Sequence, residues 1–166
     1  MIRILIFCTL LACVSGYAIR RGGAPERAVA IILLAGAVAT WAVAIGIHGG
    51  TAGHFITVEH GILFVDCVML AALMGVSLAA DRFWPLWMTA LHAFGVVGHL
   101  AKAIAPEIMT NVYLAAHLFS AYPGLILLTL ATHWHRSRMR RTGHDPSWSI
   151  SWRWSIPSRR RGGRIA

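Results

Sequence analysis

The sequence predicts an all-α fold, a polytopic membrane helix bundle with five transmembrane helices. Three observations carry that expectation. The 166 residues are 57% hydrophobic and 13% charged, with a mean hydropathy of +0.65, whereas an ordinary soluble domain carries about 25% charged residues. The apolar residues come in blocks of roughly 20, the length of helix that crosses a hydrocarbon core about 30 Å thick. The blocks are separated by short polar connections, and Lys and Arg fall almost wholly on alternate ones.

The first block, Arg3 to Ala18, is the shortest. Its LLAC at Leu10 to Cys13 loosely resembles the lipobox of bacterial lipoprotein signal peptides, and cleavage of residues 1–18 as a signal leaves a four-helix protein. A single arginine at its start, Arg3, and Arg20 and Arg21 directly after it, favour a retained span. The second block, Ala28 to Ile47, is rich in Ala and Gly, which lets neighbouring helices approach closely. The third runs from Gly61 to Ala80, the fourth from Trp84 to Ile104 and the fifth from Val112 to Thr132. The connections read as a Gly/Pro turn (RRGGAPER), a Gly-rich loop ending in Glu59-His60, a tight DRF, and APEIMTN around Pro106. Pro123 lies inside the fifth block, where it removes a backbone hydrogen bond and predicts a kink near Phe119.

Residues 1–135 therefore form the bundle, and 136–166 a basic, Trp-containing tail that is disordered or lies on the membrane surface. The formal charge is +9. Nine of the 15 Lys and Arg lie at or after Arg136, and no nucleic-acid motif accompanies them, so nucleic acid is not an expected partner. The expected partners are the lipid bilayer, anionic headgroups that meet the Arg-rich tail, and other membrane subunits. With the N-terminus outside, Arg20, Arg21, Arg27, Arg82 and the tail are all cytoplasmic, as the positive-inside rule requires. The plan is that of a bacterial inner-membrane protein. Trp84, Trp87 and Trp134 then fall at the inner interface. Cys8, Cys13 and Cys67 are odd in number and set in apolar runs, which predicts buried thiols and no disulfide framework.

Ionisable residues inside spans are costly and face the bundle interior. Helical spacing gathers them into stripes: Asp66 on the third span; Met88, His92, Gly95, His99 and Lys102 on the fourth; Tyr113 and His117 on the fifth. At 1.5 Å per residue, His99, His117 and Asp66 all lie about 8–13 Å below the outer surface, with His92 deeper. The stripes should face one another and form one polar layer.

Four readings of that layer follow. The first is a hydrogen-bonded network in a small accessory or structural membrane subunit, without catalysis. The second is an electron-transfer subunit holding haem b between His99 and His117 as axial ligands. The third is a proton, ion or small-solute pathway with Asp66 and the histidines as relay groups. A metal site at His48, His54 and His60 is the weakest, because a spacing of six does not align ligands on a helix. No Walker loop, nucleophile elbow or HExxH is present to indicate an enzyme.

Overall fold

In the computed structural model, residues 2–47, 54–104 and 110–143 are described, with side chains over 2, 4–45, 60–101 and 121–143. These residues form five helices and, among them, no strand. They are α1 (Ile2–Arg21), α2 (Ala24–Ile47), α3 (His54–Ala79), α4 (Trp84–Ile104) and α5 (Thr110–Thr142).

All five predicted helices are present, and four are longer than expected; α1 runs on from Ala18 to Arg21. α2 starts four residues before Ala28, so the RRGGAPER turn shrinks to Gly22-Gly23. Pro25 needs no amide partner in a first turn, and Glu26 suits the positive end of the helix dipole. The Gly22 amide closes α1 by donating to the Ala18 carbonyl at 2.8 Å. A Cβ at Gly22 would collide with that carbonyl and with Glu26 Cβ, so only glycine fits the turn. α3 takes in His54 to His60, read from the sequence as part of a loop. α5 runs unbroken through Pro123 and on past Thr132. Arg136, Arg138, Arg140 and Arg141 therefore sit on a helix and not in a disordered tail. Nothing in HWHRSRMRRT breaks a helix before Gly143, which adopts φ 70° and returns its amide to the Met139 carbonyl at 3.0 Å. That is a glycine helix stop. Residues 144–166 lie outside the described residues.

The helices form a ring. Each packs against the next in sequence, α1 packs against α5 to close the circle, and α2 also touches α5 across it. α1, α2 and α3 each contain a stretch long and apolar enough to cross a membrane: Ile4–Arg21, Ala24–Ile45 and His60–Ala79. The outward face is apolar as well. Ile31, Val38, Phe64, Leu78, Val97 and Ile126 are all more than half exposed. In water such a surface would be a large adhesive patch, whereas in hydrocarbon it is solvated. The chain is a membrane protein.

The ring is filled unevenly. The buried cluster comprises Ala18, Val29, Ala30, Leu73, Val76, Trp84, Met88, Leu128 and Ala131. These residues come from the end of α1, the start of α2, the end of α3, the start of α4 and the second half of α5. They all belong to the end of the bundle that carries the arginines. Trp84 was expected at an interface. It is instead 6% exposed and packed inside this plug, while Trp87 and Trp134 do lie on the surface.

Candidate functional site

Beyond the plug the ring is hollow. A cavity of about 530 Å³ is lined by all five helices. Its wall is mainly apolar, with Phe7, Leu33, Met69, Met88 and Leu125 among the lining residues. Small residues, Ala37 of α2 and Gly95 of α4, are among those that line it. Met69 of α3 packs directly over Gly36 of α2, where any Cβ would collide with its thioether. On the far wall Phe7 of α1 meets Tyr122 of α5 edge to face, with ring centroids 5.9 Å apart at 75°. That contact closes the ring beside the cavity.

An acidic and a basic side chain share one side of the cavity, while Thr40 of α2 and Tyr122 of α5 bring hydroxyl-bearing side chains to its other walls. Asp66 of α3 and His92 of α4 line it. His99, seven residues from His92 and therefore on the same face of α4, is 6% exposed and approaches Asp66 from outside the lining. Its Nε2 lies 3.0 Å from Asp66 Oδ2. His92 Nε2 lies 3.0 Å from the main-chain oxygen of the same residue. A carbonyl only accepts, so His92 Nε2 carries the proton, and its Nδ1 is the acceptor when the ring is neutral. Two histidines of α4 thus clasp one residue of α3, one through the carboxylate and one through the carbonyl. The side chains of His99 and Asp66 are only 5% and 15% exposed. In such surroundings an unpartnered carboxylate would be very costly, which accounts for the pairing.

The structure therefore brings together Asp66, His92 and His99 of the expected polar layer. The side chains of Lys102, Tyr113 and His117 fall outside the described residues. The Nε2 of His99, which haem b would require together with His117, is engaged by Asp66. His48, and the side chain of His54, of the weak metal reading are likewise outside the described residues, and no group of three or more metal-binding side chains occurs among those described. Cys13 and Cys67 are exposed on the apolar outer face and Cys8 is half-buried, so the expected burial holds for none of them. Ser77, farther along α3, turns back to the Met74 carbonyl of its own helix.

The sequence reading did not find the cavity. Its signal was present in Ala37 and Gly95, small residues at helical positions that turn out to line it. Small residues in membrane helices equally serve close packing, and only the ring closure distinguishes the two uses. Glu26 was missed as well. It is 2% exposed, and its Oε2 has no hydrogen-bond partner. No protein-family model, curated protein or solved structure matches this chain.

Proposed function

We propose that this protein is a membrane-embedded binding protein whose cavity takes up a small, mainly apolar molecule bearing one hydrogen-bond donor. The observation that carries this reading is the 530 Å³ cavity with Asp66 and His92 at its wall. Small-molecule sites span about 300–1,000 Å³ and combine an apolar lining with a few convergent polar groups. A purely structural or accessory subunit has use for the Asp66–His99 pair but none for the space. At about 24 cal/mol per Å³, leaving such a volume empty costs at most about 13 kcal/mol. That equals the whole stability of many domains, about 5–15 kcal/mol. In a bilayer the space is occupied by apolar matter, and the clasp gives it one end that can tell one occupant from another.

The plug at the arginine-rich end favours a cup over a through-going pathway. The distribution of Lys and Arg supports an inner membrane of a bacterium, with that end in the cytoplasm and the cavity toward the outer leaflet. The ligand enters with its apolar body among Leu33, Met69 and Leu125, and its donor, a hydroxyl or amine, meets Asp66.

The test uses 1-aminoanthracene, an apolar three-ring amine, titrated into the purified protein in detergent. Saturable one-to-one binding is expected. Ala37→Phe, which fills the cavity, should weaken it at least tenfold. Asp66→Asn should weaken the amine by about tenfold or more, the worth of one charged hydrogen bond, and leave unsubstituted anthracene unchanged. Equal binding by the wild type and Ala37→Phe, with both correctly folded, rejects the cavity as the site.

A further inference from the structure

The end of the bundle away from the cavity carries a second concave site. α5 overruns the ring and lies against the Gly22-Gly23 turn between α1 and α2. A cleft of about 430 Å³ opens there. It is lined by Arg20, Arg21, Arg27, His135, Arg136 and Arg140, with Gly22 and Met139 completing it, and no carboxylate is among the lining residues. Five guanidinium groups from three helices thus share one small space. Like charges at this density repel, and one buried carboxylate below the turn, Glu26, does not balance them.

The cleft is built and not incidental. Gly23 makes it possible: any side chain there would press on Glu26 Oε2 and on the His135 ring, each 2.9 Å from where a Cβ would sit. Glycine therefore lets α5 come down onto the turn and deliver His135, Arg136 and Arg140. Two guanidiniums are held in place. Arg27 Nε donates to the Gly22 carbonyl at 3.0 Å. Arg136 Nη1 donates to the Tyr17 hydroxyl at 3.5 Å, and its guanidinium lies 6.0 Å from the centre of that ring. An arginine has five N–H donors, so each of these tethers uses one and leaves the rest for a ligand. Planar, pre-set guanidiniums suit phosphate oxygens, which accept two parallel N–H bonds.

We propose that this cleft is a specific site for the headgroup of an anionic phospholipid carrying two phosphates. Position selects the lipid over a free anion. Arg20 and Arg21 close the membrane-length stretch of α1 and Arg27 lies in the first turn of that of α2, at the end of each span, where lipid phosphates lie. Charge selects two phosphates over one, because a single phosphodiester neutralises one of five guanidiniums. The site is independent of the cavity and of the reading given to it.

The test measures thermal unfolding of the full chain in detergent with added cardiolipin, phosphatidylglycerol or phosphatidylcholine, and separately with soluble pyrophosphate. Cardiolipin should raise the unfolding temperature most, with saturable dependence on its mole fraction. Arg27→Gln and Arg136→Gln should each lower its apparent affinity about fivefold or more. Arg140→Gln, whose side chain is exposed at the rim, should do the same and keeps the test sound if either tethered arginine proves necessary for folding. Arg141→Gln, outside the cleft, should have no effect. Three results overturn the proposal. One is equal stabilisation by pyrophosphate, which makes the site one for free anions. Another is an equal loss in Arg141→Gln, which makes the attraction diffuse. The last is no difference between cardiolipin and phosphatidylglycerol.

Discussion

Replacing Asp66 or His99 singly and together tests the clasp most directly. The pair is made by His99 Nε2 and Asp66 Oδ2 at 3.0 Å, with side chains 5% and 15% exposed. That burial excludes the weak regime of surface ion pairs, about 0–1 kcal/mol. Two stronger regimes remain. A neutral hydrogen bond between membrane helices averages about 0.6 kcal/mol and reaches about 1.7. Removing one partner of a buried ion pair costs about 3–5 kcal/mol, because the other charge is left unpaired. Asp66→Leu leaves an imidazole that can be neutral, whereas His99→Leu leaves a carboxylate. His99→Leu is therefore expected to be the more damaging single change, at about 3 kcal/mol or more. The double variant Asp66→Leu/His99→Leu should be milder than His99→Leu alone, since both groups then leave together. The assay is reversible unfolding of purified protein in mixed micelles with increasing dodecyl sulfate, read by helical circular dichroism. A double-mutant cycle isolates the coupling. Coupling below about 0.3 kcal/mol, well under the membrane average, or a double variant worse than His99→Leu, refutes the view that this contact joins α3 to α4.

Two further outcomes follow from the uneven filling of the ring. Leu128 is fully buried in the plug and Ile126 is 61% exposed on the outer face, so Leu128→Ala should cost about 2–5 kcal/mol and Ile126→Ala less than about 0.5 in the same unfolding assay. The reverse order would mean that α5 faces the other way. Gly36→Val should force Met69 into the cavity, lowering stability by about 1–3 kcal/mol and weakening 1-aminoanthracene along with it; unchanged binding would show that Met69 has another place to go.

Much of the architecture was readable before any tertiary information. A bilayer imposes one rule, that backbone groups be satisfied within each span, so apolar blocks of the right length can only be helices. α4 accordingly begins at Trp84 and ends at Ile104 as expected. The ends that moved are those at which polar residues continue a helix beyond its apolar stretch. Glu26 lies in the first turn of α2, and the arginines to Arg141 lie in the last turns of α5. Hydropathy is silent there, while Pro25 and Gly143 were the available signals. The polar layer was legible in part, since Asp66, His92 and His99 each stand out as costly groups in an apolar run.

By itself, then, the sequence determined that the chain enters a membrane, that it does so as helices, and that its few intramembrane ionisable groups must find partners. Those are local properties of composition and spacing. Only the tertiary structure decided which groups pair, because His92 and His99 could have met any neighbour, and the packing of α3 beside α4 chose Asp66. It also decided that Trp84 plugs one end while Ala37 and Gly95 line a hollow middle. A side chain's volume is written in the sequence, but whether neighbouring helices fill the space beside it depends on how the ring closes, and that rests on contacts such as Phe7 with Tyr122, 115 positions apart along the chain.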